Sequence, residues 1–294
     1  MIYDVRHVTT VSYAGPVHLA RFNLRLKPAD WSGQSLLSHG LFVDPIPWSI
    51  QDEFGPYIVN RSRLTLRDPI LQLSIESRFR VEVAQPSFLL GSVVAPTVSH
   101  VRHLALNRRD LSAASPASYL YASAIAEPSA EIAAWAAPYF ADDADVVNAG
   151  QALMAAIFRE FRYDSGATDS DTPPLQAFRQ RSGVCQDFAH VMIIAARANA
   201  VPAAYVSGYL RTLPPPGQPK MVGADAMHAW VALWCGDDLG WVGFDPTNNC
   251  LTGTDHIFVA MGRDYADVAP VDGVFRGGIG QTMRYAVDVV PVDN

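Results

Sequence analysis

Three short segments carry the side chains that could do chemistry: Gly183-Val184-Cys185-Gln186-Asp187-Phe188-Ala189-His190, Met227-His228-Ala229-Trp230-Val231 and Gly240-Trp241-Val242-Gly243-Phe244-Asp245-Pro246-Thr247. Cys185 follows a Ser-Gly turn and opens an apolar run with helical spacing, so the free N–H groups and positive potential of a helix N-terminus fall on its sulfur. Both favour the thiolate, which is the nucleophilic form. A thiolate needs a partner that holds the proton and returns it to a leaving group, and near neutrality that partner is an imidazole. His228 is the candidate, with Asp245 as the carboxylate that fixes its tautomer and stabilises the imidazolium. The backbone N–H of Cys185 would serve an oxyanion hole. Spacing alone leaves bland readings open. A cysteine near a helix start is often a small buried hydrophobe, a histidine in an apolar strand is often a satisfied core residue, and Asp-Pro is a common turn. A zinc set of Cys185, His190, His228 and Cys235 lacks any CxxC or HExxH spacing, so no metal is expected. His190 lies five residues beyond Cys185 on a helix and points elsewhere, so it is not the expected base.

These side chains need elements to present them. Phe188, Val191, Met192, Ala195 and Asn199 follow i, i+3, i+4, i+7 spacing and predict a helix from about Cys185, with Cys185 on its inward stripe. His228 falls in a short apolar run, Ala229 to Trp234, and Asp245 ends another, Trp241 to Phe244. A turn at Cys235–Gly240 makes them a hairpin that sets histidine and aspartate side by side. A further β run covers Ala204 to Val206, and Pro214-Pro215-Pro216-Gly217 reads as a surface loop. Upstream, Ser129 caps a helix carrying Ile132, Trp135, Ala136 and Tyr139. A second helix spans about Asp143 to Phe161 and buries Val146, Leu153, Ile157, Phe158 and Phe161. Asp164 to Pro174 is a polar loop.

The first 85 or so residues alternate with period two. Tyr3, Val5, Val11 and Tyr13 share one parity, and Leu71 to Val83 alternates apolar with polar side chains, as in an antiparallel sheet with one wet face. Its histidines, His7, His18 and His39, are scattered and read as structural or surface residues. Residues 87–128 are poorly periodic and read as a connector. Strands, then helices, then strands argue an α+β fold rather than a doubly wound parallel sheet.

The chain has 294 residues, 49% hydrophobic and 17% charged, as in an ordinary globular protein. Its 22 basic and 29 acidic residues give a net charge of −7, with Lys27 and Lys220 the only lysines, so neither nucleic acid nor an anionic membrane is an expected partner. No apolar stretch is long enough to span a bilayer and no signal-peptide pattern opens the chain. Three cysteines form no disulfide framework, and a reducing cytoplasm is the expected location.

The three segments together resemble the transglutaminase-like superfamily, whose core is papain-like, and in particular its bacterial members with a β-rich N-terminal region. The resemblance rests on the Gly-Val-Cys-x-Asp-Phe-Ala-His run at Cys185, the His-Ala-Trp-Val strand at His228 and Gly-Trp-x-x-Phe-Asp-Pro-Thr at Asp245. Val201 to Tyr209 and the tail from His256 to Pro270 match as well. It implies a β-rich domain over 1–86, a connector over 87–128 and a papain-like catalytic core with a C-terminal extension over 129–294. It also implies cysteine acyl-enzyme chemistry on an amide without a cofactor: Cys185 attacks the carbonyl, His228 exchanges protons and Asp245 orients His228. Tyr163, Gln186, Trp230 and Trp241 are candidates for the oxyanion side or substrate groove. For Tyr163 a core-facing role is the preferred alternative, and the two tryptophans are expected to shield the His–Asp pair. The expected activity is a peptidase or amidase acting on a peptide or protein substrate. Alternatives are acyl transfer from glutamine to an amine, and a peptide-binding module without catalysis. Asp164, Asp169 and Asp171 are clustered upstream of the cysteine, but no EF-hand-like run marks a calcium site.

Overall fold

The computed structural model describes residues 1–86, 94–212, 223, 225–277 and 280–292. The Pro214–Gly217 insert lies outside the described residues. The fold is α+β, with two antiparallel sheets and the helices packed on the second of them.

The N-terminal alternation becomes β1 (Ile2–Leu24), β2 (Gln34–Asp44), β3 (Ser49–Phe54), β4 (Asn60–Leu66) and β5 (Ile70–Val83), ordered β2-β5-β1-β4-β3. Tyr3, Val5, Val11 and Tyr13 of β1, and Leu73, Ile75, Phe79, Val81 and Val83 of β5, are buried, as period two requires. Leu71 departs from the expected parity: Ile70 is buried in its place.

Helix α1 (Val98–Asn107) arises within the segment read as a connector. Thr97 caps it, and Val98, Val101 and Ala105 fix it to the core at helical spacing. Interspersed His100, Arg102 and His103 leave its apolar stripe thin, which hid the periodicity. Helices α2 (Ala130–Ala136) and α3 (Val146–Glu160) follow, capped by Ser129 and Asp145 respectively. Phe158, expected in the core, is 51% exposed, because Ile157 takes the inward position on the last turn of α3.

The two-residue strands β6 (Arg162–Tyr163) and β7 (Ser182–Gly183) pair in parallel and flank α4 (Pro174–Gln180). Helix α5 (Cys185–Ala198) is the centre of the core. Every residue from Asp187 to Arg197 is buried, not merely one stripe, because α5 packs on α2, α3 and α4 as well as on the second sheet. A helix apolar nearly all round is stable only when enclosed in this way.

The second sheet runs β11 (Cys250–Leu251), β10 (Trp241–Asp245), β9 (Met227–Trp234), β8 (Ala203–Leu210), β12 (His256–Gly262), all antiparallel. One face carries Tyr205, Val231, Leu233 and Phe244 into the core around α5, and the other carries Ala204, Val206, Trp230, Ala232 and Phe258. Residues of the N-terminal region cover this second face. Trp31 stacks on Phe258 at 4.3 Å, and the Gln34 amide bonds both the Phe258 carbonyl (2.8 Å) and its N–H (2.9 Å).

After the short α6 (Tyr265–Val268) the chain returns to the first sheet. Strands β13 (Val271–Arg276) and β14 (Gln281–Val292) pair with β1, β14 along Ile2–Tyr13. The C-terminal extension therefore completes the N-terminal sheet. No helix among the described residues is long and apolar enough to cross a membrane.

Candidate active site

Cys185 is the first residue of α5, after Val184 in extended backbone. Asp187 makes that start: its Oδ2 accepts the Val184 N–H (2.8 Å) and the Thr168 hydroxyl (2.7 Å). A side chain at Gly183 would bring a Cβ to 2.5 Å from the same oxygen, so Gly183 leaves room for the carboxylate. The Gly-Val-Cys-x-Asp spacing is thus a capping device that presents the sulfur at the helix start and ties the 164–172 loop beside it. Burial pushes the Asp187 carboxyl above the usual range.

The β6–β7 bridge pairs Tyr163 with Gly183, two residues before the cysteine. Tyr163 is not a core residue: it is 58% exposed, with its ring edge-on to Phe188 at 6.5 Å. A polar sequence on both sides, Arg162 and Asp164, keeps this short strand at the surface. Partial burial, then an electrostatic contribution from Cys185, raise its phenol above the ordinary value. Gln186 reaches the Ser170 carbonyl (3.4 Å) and holds the loop edge.

The β9–β10 hairpin closes through Cys235 N–H to the Gly240 carbonyl (2.7 Å), with Gly236 and Gly240 both at positive φ. Its register pairs Phe244 with Val231, so Asp245 stands next to Trp230 and meets His228 diagonally. His228 Nε2 lies 2.8 Å from Asp245 Oδ2. Asp245 is fully buried and takes N–H donors at both oxygens. The backbone of Thr247 (3.0 Å) and Asn248 (3.1 Å) bonds Oδ1, and the Asn248 amide (2.7 Å) and His256 Nε2 (3.1 Å) join His228 at Oδ2.

Burial alone would discharge His228 and Asp245, yet their mutual attraction reverses this. Desolvation pushes the His228 pKa down, but hydrogen bonds to Asp245 and Cys185, with the charges of both, carry it up to about 10. Desolvation pushes the Asp245 carboxyl up, but hydrogen bonds from His228 and His256 hold it well below the usual carboxylate range. With Nε2 committed to Asp245, Nδ1 is the ring nitrogen left for the cysteine. Histidine and aspartate are thus brought into direct contact, and Cys185 acts on the histidine's pKa from the start of α5.

Trp230 is buried beside this group, 6.1 Å from the His228 ring and edge-on to His256 at 5.4 Å. Trp241 does not shield the pair. It packs edge-on to Tyr119 at 5.0 Å and donates to the Ala114 carbonyl (3.0 Å), pinning the segment after α1. His190 accepts the Tyr265 N–H (3.2 Å), and burial drives its pKa down to about 4. Cys235 is buried at the far end of β9, its thiol raised by burial. Half-buried Cys250 pairs with Asp245 across β10–β11, and burial, then the carboxylate, push its thiol up to about 11.

His256 and Asn248 were not picked out by spacing as members of the site. Among the described residues, His228, Asp245 and His256 have potential ligand atoms within 4.8 Å of one another. The set does not fit a metal: the Gly253 N–H donates to His256 Nδ1 (3.3 Å), which puts the neutral ring's proton on Nε2, where a cation would need a lone pair.

The profile of the transglutaminase-like superfamily matches residues 133–246, and that of the bacterial transglutaminase-like N-terminal region matches residues 3–82. An uncharacterized protein of Mycobacterium tuberculosis is 33% identical over 298 residues, covering 99% of this chain and 93% of its own. A protein-glutamine gamma-glutamyltransferase of Pseudomonas aeruginosa is 35% identical over 105 residues, covering 33% of this chain and 16% of its own. A crystal structure from Cytophaga hutchinsonii, provisionally described as a cysteine protease, aligns with a TM-score of 0.76 at 21% identity, covering 100% of this chain and 92% of that one.

Proposed function

Because the chain belongs to the transglutaminase-like superfamily and carries its bacterial N-terminal region, we propose that it is a cysteine-nucleophile amide hydrolase working through Cys185, His228 and Asp245. The observation that carries the reading is the His228–Asp245 pair at 2.8 Å, together with a cysteine at a helix start that helps raise the His228 pKa. In the reaction the Cys185 thiolate attacks the amide carbonyl carbon, and the carbonyl electrons move to oxygen. The Cys185 N–H at the start of α5 is a donor for that oxyanion. As the carbon–nitrogen bond breaks, the leaving amine takes the proton from the His228 imidazolium, leaving a thioester. Water then attacks the thioester with its proton passing to His228, and the acid leaves as the thiolate–imidazolium pair re-forms. Asp245 keeps the imidazole oriented throughout and offsets its positive charge.

Hydrolysis is favoured over transfer by access to water: Cys185 is only half-buried and Tyr163 beside it is exposed. The likeness of the core to a protein-glutamine gamma-glutamyltransferase favours a second reading, in which an amine resolves the same thioester. A peptide library with mass-spectrometric readout, run with and without a primary amine, separates them. The wild type should cleave peptides, and Cys185→Ala should be inactive with an unchanged thermal midpoint. Amine incorporation in place of cleavage selects the second reading. Turnover by Cys185→Ala, or its unfolding, contradicts both.

A further inference from the structure

We infer that His256 is a positioning residue that holds the Asp245 carboxylate in register for His228; the inference rests on the Cys185–His228–Asp245 reading. Each of its contacts has a definite direction. The Gly253 N–H donates to His256 Nδ1 at 3.3 Å, so the neutral ring carries its proton on Nε2 and donates to Asp245 Oδ2 at 3.1 Å. The ring is fixed from the side by Trp230, edge-on at 5.4 Å, and is only 8% exposed.

Oδ1 of Asp245 is anchored by two N–H groups of the turn that follows it, which fixes one end of the carboxylate. Oδ2, the oxygen that meets His228, has two further donors of unequal standing. Asn248 is exposed, so water can replace its amide, whereas His256 is buried and water cannot follow if it leaves. His256 therefore supplies the donor that keeps Oδ2 aimed at His228 Nε2. It reaches from β12 to the end of β10 because β8, lying between β12 and β9, carries glycine at position 208. A Cβ there would come within 2.4 Å of the Trp230 ring, which occupies that space beside His256.

The test compares two amides. In His256→Gln the side-chain nitrogen takes the place of Nε2. In His256→Asn it falls at Nδ1, short of Asp245. Relative to wild type, His256→Asn should lose about tenfold to a hundredfold in kcat with KM little changed, and His256→Gln should recover most of it. Equal loss in both, or loss in neither, overturns the inference. A readout independent of turnover is the 15N–1H spectrum of the imidazoles at neutral pH. His256 should show a protonated Nε2 and an unprotonated Nδ1, and the opposite tautomer overturns the inference. If the protein has no amidase activity at all, the proposed function fails while the spectrum and the rate of Cys185 alkylation in the two variants still decide the role of His256.

Discussion

At the scale of single residues, the site is organised by charge held against burial. His228 and Asp245 are both sequestered, and each stays ionised because the other is there. The sign of the resulting pH dependence follows. The folded pKa of His228 is raised from 6.5 to about 10, so its contribution to stability is complete below 6.5 and lost as pH rises to about 10. Asp245 is depressed below 3.8, so its contribution is complete above that value and lost as pH falls through the lower folded value. The difference in thermal midpoint between wild type and His228→Ala should accordingly be largest near pH 5–6 and shrink by pH 10; a difference independent of pH contradicts the pairing. Cys185, His228 and Asp245 could be proposed from the sequence because residue type and order along the chain suggest the chemistry. His256 could not, because a bond from β12 to β10 depends on how the sheet curls, and no local period records that; Asn248 lies only three residues beyond Asp245, in a turn whose sequence reads as an ordinary Asp-Pro turn.

At the scale of elements, the helix start at Cys185 and the β9–β10 hairpin do the positioning. The β8 strand sets their spacing through Gly208, where a Cβ would stand 2.2 Å from the Ile257 carbonyl and 2.4 Å from Trp230. Gly208→Ala should displace Trp230 and the two histidines it flanks, costing about 1–3 kcal/mol. Calorimetry and the Cys185 alkylation rate check this together, and a variant unchanged in both would show that the close approach is not needed. The hairpin and the α5 start were readable from their turn residues and apolar spacing. The full burial of α5 was not, since apolar periodicity shows one face and says nothing of how many neighbours enclose the other. Helix α1 was missed for the opposite reason, its three inward residues being separated by polar ones.

At the scale of the molecule, the two sheets form one body whose ends meet. Tyr3, Val5, Phe79, Val287 and Val289 of the first sheet belong to the same buried cluster as Phe188 and Val231 around α5. Val289 pairs with Val5 and is fully buried. Val289→Ala should lower stability by about 1–3 kcal/mol while leaving Cys185 reactivity intact. An unchanged midpoint would mean that β14 contributes nothing to the shared core. The β-rich character of residues 1–86 and the α+β class could be read from period-two alternation and element order. The return of the last strands to β1 could not, because pairing between the two chain ends leaves no trace in either segment alone.

The central claim is a reactive thiolate at Cys185 sustained by His228. It is tested most directly by iodoacetamide alkylation of Cys185 across pH 4–10 in wild type and His228→Ala, with mass spectrometry separating Cys185 from Cys235 and Cys250. Rapid labelling that persists well below pH 8 and disappears in the variant is the expected result. Slow labelling with a midpoint near ~8.5, as for an ordinary thiol, and the same in both proteins, would contradict the account.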